Sequence, residues 1–175
     1  MQGLINAFEA IRDFLELGGP VLNAIAWVIL FMWILILERL IFFRTGLRKL
    51  MKQAFDEWEA RSERKSWHAH QIRLGIISRV RMSANQGVGI IQTLVALCPL
   101  LGLLGTVTGM ITVFQVMAVA GTGNVRSMAA GVSMATVPTM AGMVGALSGV
   151  FLVTILTRSV SRQISLLEDD MTMDH

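Results

Sequence analysis

Three stretches of this 175-residue chain contain no Asp, Glu, Lys or Arg: Leu17 to Leu37, Met82 to Val125 and Ser127 to Thr157, which are 21, 44 and 31 residues long. A helix rises about 1.5 Å per residue, so about 20 apolar residues cross the hydrocarbon of a bilayer. A soluble bundle with core helices this long would need a polar face on each, and these runs offer only Ser, Thr, Asn and Gln. Charged residues make up 15% of the chain, against about 25% in a soluble domain. The fold class expected is an all-α membrane protein with three transmembrane helices and long cytoplasmic helical extensions.

The 44-residue gap is too long for one span, and Gly121, Thr122, Gly123 and Asn124 supply a turn within it. Residues 1–19 read as a periplasmic amphipathic helix, with Gly18 and Gly19 separating it from the first span at 20–40. A cytoplasmic helical segment follows at 41–87, with apolar stripes at Leu47, Leu50, Met51, Ala54, Phe55 and Trp58 and at Ile72, Ile76, Val80 and Ala84. The region from Ser62 to His70 between them is polar enough for a turn. The second span is expected at 88–119, a periplasmic loop at 120–127, the third span at 128–157 with helix running on towards Leu167, and a cytoplasmic extension at 158–175.

Between Ile41 and Arg81 stand ten basic and four acidic residues, whereas the leader carries Arg12 and the second loop Arg126. The positive-inside rule puts the central segment in the cytoplasm, the N-terminus outside and the C-terminus inside, in agreement with Arg158 and Arg162. The leader lacks a basic n-region and the first apolar run is flanked by Glu38 and Arg39, so no signal cleavage is expected. Glu38 and Arg39 read as an interface anchor. Anionic lipid headgroups explain the cytoplasmic charge, and no nucleic-acid partner is expected.

The first span is bulky, with Trp27, Phe31 and Trp33, as suits a lipid-facing helix. The other two are dense in small residues: Gly102, Gly105 and Gly109, then Gly142, Gly145 and Gly149, each form a stripe for close helix packing. Thr106, Thr108 and Thr112, with Ser133, Thr136 and Thr139, either satisfy themselves on the preceding turn or wet the interior of an oligomer. Pro99 and Pro138 each release a carbonyl and are candidates for a kink or a pore lining, as are Thr136 and Ser133. Neither span holds an acidic residue and His68, His70 and His175 lie outside both, so a proton relay would need a carboxylate from a partner.

The run from Cys98 and Pro99 through Gly102, Gly105, Thr106 and Gly109 to Met110 closely resembles the second-span motif of the MotA/TolQ/ExbB proton-channel family. Gly131 through Thr139, Gly142 and Gly145 resembles the motif that follows in that family, and the likeness covers most of the chain. The compact length points to the ExbB branch, in the short form serving a second TonB system. The resemblance implies a homopentamer in a bacterial inner membrane, enclosing one or two transmembrane helices of a single-span ExbD-like protein, each bringing an essential Asp. Thr106 and Thr139 match the family's pore threonines. The implied function is a proton-channel and motor subunit that energises a TonB-like protein for outer-membrane nutrient uptake. Two departures bear on the lumen: Met134 stands where the family commonly has Glu, and Pro138 where a small residue is usual.

A TolQ-like or flagellar-stator-like subunit is the nearest alternative, and a non-conducting membrane scaffold is one of another class. No enzyme is expected, since no nucleophile has a base in reach and no phosphate-cradling loop occurs. Neither cofactor nor metal is expected, and Cys98 reads as a packing residue.

Overall fold

The structure is a computed structural model that describes residues 6, 9, 12–16, 18–61, 66–120 and 125–171. Among the described residues every regular element is helical: α1 Gly19–Glu59, α2 Trp67–Asn85, α3 Val88–Ala120 and α4 Val125–Asp170. Residues 12–16 of the leader are helical too. The turn expected at Gly121 to Asn124 and most of the leader lie outside the described residues, as do 62–65 and 172–175.

Three helical runs are long and apolar enough to cross a membrane: Gly19–Glu59, Trp67–Val119 and Met128–Asp170. The chain is thus an all-α protein with three long apolar helices, in keeping with a multi-pass membrane protein. The middle run joins α2 to α3 across Gln86 and Gly87. Gly87 has φ +79°, a left-handed conformation that glycine adopts without steric cost. A Cβ there would also lie 2.8 Å from two nitrogens of the Arg39 guanidinium. The polar turn is shorter than the sequence suggests, because Ser66 accepts a hydrogen bond from the Ala69 N–H at 3.2 Å and caps α2, leaving Trp67 to His70 helical.

The contacts divide the chain into two units, Met1–Trp33 with Thr93–Val150, and Ile34–Gln92 with Phe151–His175. In the first, Leu22, Ile25 and Met32 of α1 are buried, as are Val95, Cys98 and Val113 of α3 and Ala135 and Ala146 of α4. The second is held by three seams: Ile36, Phe43, Leu47, Ala54 and Trp58 on α1; Ala69, Ile76, Val80 and Ala84 on α2; Val153, Leu156, Val160, Ile164 and Leu167 on α4. Steps of three, four and seven are the spacing by which helices pack along continuous apolar stripes. A cavity of about 250 Å³ lined by Leu50, Ala54, Ile76 and Val80 marks where α1 meets α2. Arg81 and Asn85 line another with Val160 and Ile164, where α2 meets α4.

Candidate functional site

The first unit is organised by an antiparallel contact of α3 with α4 in which backbone meets backbone. A Cβ on Gly102 would fall 3.0 Å from the Thr139 Cα, one on Gly109 2.5 Å from the Ala135 Cα, and one on Gly142 2.5 Å from the Cys98 carbonyl oxygen. Main chain cannot step aside as a flexible side chain can, so a Cβ at Gly109 or Gly142 would force the helices apart, and Gly102 is tight. Gly105 makes room for Pro138, whose Cβ would lie 2.5 Å from an added Cβ, and Pro138 is among the most fully buried side chains. Pro99, by contrast, is exposed on α3, and both prolines lie inside uninterrupted helices.

The second glycine series does not stay on this seam. Gly145 faces Ile29 of α1, whose Cδ1 would stand 2.5 Å from an added Cβ, and Gly149 faces Met32 of α1 and Val95 of α3. The stripe on α4 therefore meets α3 at Gly142, α1 at Gly145 and both at Gly149. Sequence spacing could show that the glycines align but not which helix each one admits. It also missed Gly131, which fits against Val113.

Against this hairpin the hydroxyl groups fall into two kinds. Thr106 donates to the Leu103 carbonyl at 2.7 Å, Thr108 to Leu104 and Gly105, Thr112 to Thr108, and Thr136 to Val132 and Ser133. These are bonds to the preceding turn of the same helix, the ordinary way for a threonine to satisfy itself in lipid. Thr139 differs. Its hydroxyl crosses to the Gly102 carbonyl on α3 at 3.0 Å, within the glycine seam of the two helices. Thr106 lies one turn beyond Gly102 on that same helix, and both threonines are half-buried. Ser133 is half-buried and Thr136 exposed.

Met134 places its terminal methyl over Gly19, which opens α1 with φ +66°. The side chain at this position is thus engaged within its own unit. Large apolar residues on α3 and α4, including Leu100, Leu103, Val144 and Leu147, are more than half exposed, so both helices keep faces that this chain alone does not cover.

In the second unit Glu38 is exposed, and Arg39 lies over the Phe42 ring, 5.4 Å from guanidinium carbon to centroid, beside the Gly87 turn. Arg73 was passed over by sequence reasoning, where it counted only as one more cation. It donates to the Met171 carbonyl at 2.7 Å and also to the Glu168 carbonyl, capping the end of α4 from another helix. Among the described residues no group of three or more His, Cys, Asp or Glu could hold a metal ion.

Long apolar helices, a glycine seam at backbone contact and a hydroxyl bonded across that seam define a polytopic membrane protein built for close helix packing. Residues 42–169 match the MotA/TolQ/ExbB proton channel family, and the chain belongs to that family. It is 37% identical over 83 residues to a protein of Synechocystis sp. that bears, provisionally, the name biopolymer transport protein ExbB-like 1. That alignment takes in 46% of this chain and 33% of the relative, so the match spans a third of the relative's length.

Proposed function

We propose that the chain is the channel and motor subunit of a proton-driven complex in a bacterial inner membrane, with its N-terminus periplasmic and its C-terminus cytoplasmic. Several copies, five by the family's pattern, surround the span of an ExbD-like protein. Protonation of that partner's aspartate is converted into movement that energises a TonB-like protein for nutrient uptake across the outer membrane.

The observation that carries this reading is the hydrogen bonding of Thr106 and Thr139. Each hydroxyl already donates its proton, to Leu103 and Gly102 respectively, so each has only lone pairs left to offer. A protonated carboxyl can donate to such a group, whereas a carboxylate cannot. Apolar surroundings push in the same direction, because desolvation favours the neutral acid. A partner's aspartate entering such a site would hold its proton more tightly than in water and release it only on moving to a wetter position. Rotation of either hydroxyl would turn acceptor into donor and favour the charged form, which gives the pair two states.

The test is energy-dependent uptake in cells carrying Thr106→Val or Thr139→Val, with assembly checked in parallel. Valine keeps the shape and deletes the hydroxyl, and Thr139→Ser restores it. Both valine variants should assemble and fail in uptake, and the serine variant should recover. Wild-type uptake in both valine variants rejects the role. One observation favours a non-conducting scaffold instead: the same hydroxyls are already satisfied within the chain, and that reading expects normal uptake. A TolQ-like or stator-like subunit is separated from an ExbB-like one by neighbouring genes for an ExbD-like and a TonB-like protein.

A further inference from the structure

The charge-free run of α1 ends on two opposite charges that do not pair with each other. α1 begins at Gly19, and Glu38 stands about 29 Å further along its axis at about 1.5 Å per residue. The hydrocarbon of a bilayer is about 30 Å thick, so Glu38 and Arg39 stand at its edge, where lipid headgroups begin. Among the described residues the ion pairs are Arg12 with Glu16, Arg79 with Glu57 and Arg81 with Glu168, and neither Glu38 nor Arg39 is in one.

Both side chains line one cavity of about 240 Å³, together with Gln86, Leu35, Ile90 and Ile91. Leu35 and Ile90 lie on the span side of Glu38 and Gln86, about one turn away on each helix. The cavity therefore has a charged end and an apolar end, and the apolar end points along the span. The guanidinium of Arg39 is held over the Phe42 ring and against the Gly87 turn, where an added Cβ would meet two of its nitrogens at 2.8 Å. A guanidinium has five N–H donors, and neither of these contacts gives them an anion. Glu38 is exposed beside it, an acceptor with no cation.

We infer that this cavity binds the headgroup of an ethanolamine phospholipid, with the phosphate on Arg39, the ammonium on Glu38 and the start of an acyl chain along Leu35 and Ile90. A zwitterion satisfies both side chains at once. An anionic headgroup would meet Arg39 but bring a second negative charge to Glu38, and a choline headgroup has no N–H to donate to the carboxylate. The site goes beyond the proposed function and holds whether or not the complex conducts protons.

The test titrates the full chain in detergent with dioleoyl lipids that differ only in headgroup, read by native mass spectrometry and by the thermal midpoint. Ethanolamine and choline lipids have the same net charge, so the basic residues further along α1 favour neither. The ethanolamine lipid should bind about tenfold more tightly than the choline lipid, the worth of one charge-assisted hydrogen bond. Glu38→Gln, a near-isosteric change at an exposed position, should remove most of that preference, and Arg39→Gln should weaken both lipids. Equal binding of the two lipids by the wild type, or a preference that survives Glu38→Gln unchanged, overturns the assignment. A preference for a phosphatidylglycerol over the ethanolamine lipid that is lost in Arg39→Gln gives the cavity to anionic lipid and also overturns it. Phosphoethanolamine without acyl chains should not displace the lipid at equal concentration, and displacement would give the site to a soluble ligand instead. Indifference to lipid together with dissociation of an oligomer in Glu38→Gln gives the cavity to a second copy of the chain and overturns the lipid site while leaving the proposed function standing.

Discussion

Thr139 has two tasks that pull apart under mutation. Its hydroxyl ties α4 to α3 through the Gly102 carbonyl, and under the proposed function its lone pairs accept from a partner's protonated carboxyl. A hydroxyl bond between membrane helices contributes about 0.6 kcal/mol on average and seldom more than about 1.7 kcal/mol. Thr139→Val should therefore lower the thermal midpoint of the purified protein only slightly while abolishing uptake. A collapse in stability of several kcal/mol would make the residue a structural tie and nothing more. Gly109 has the opposite balance. An added Cβ would meet the Ala135 backbone at 2.5 Å, and overpacking typically costs about 1–3 kcal/mol even where side chains can yield. Gly109→Val should prevent the hairpin from closing, seen as loss of folded protein after detergent extraction. Gly75→Ala, where an added Cβ meets nothing within 4 Å, should be neutral or stabilising in the same assay.

Among the elements, the extensions of α1, α2 and α4 pack through large apolar side chains. Trp58 is 1% exposed, and truncating a buried tryptophan costs about 3–5 kcal/mol. Trp58→Ala should accelerate amide exchange along α2 and the end of α4, and unchanged exchange would remove Trp58 from the seam. Arg73→Ala strips the cap from Glu168 and Met171. It should cost about 1–3 kcal/mol and expose the end of α4 to limited proteolysis. Much of this architecture was legible beforehand, because freedom from charge over 21 or more residues admits few explanations, and Leu47, Ala54 and Trp58 recur at helical spacing. The partners of each stripe were not legible. Periodicity states which residues share a face but not which helix covers it, so Gly142 and Gly145 look alike in sequence while one meets α3 and the other α1. Arg73 was hidden for a related reason, since its acceptors are backbone carbonyls and backbone carries no sequence signal. The motif around Thr106 marked the hairpin but could not show that its hydroxyl donates to Leu103.

For the whole molecule, membership of the MotA/TolQ/ExbB proton channel family meets a chain whose second and third apolar stretches hold no carboxylate and whose position 134 is methionine. Met134 packs over Gly19 within its own unit. Under the proposed function, proton handling depends on a titratable group brought by a partner. The most direct measurement is proton flux into vesicles containing a pH-sensitive dye, made with this chain alone, with its co-purified ExbD-like partner, and with that partner and Thr139→Val. Flux should appear only with the partner present and should vanish in Thr139→Val. Equal flux from the chain alone, or flux with the partner that survives Thr139→Val unchanged, would contradict the account.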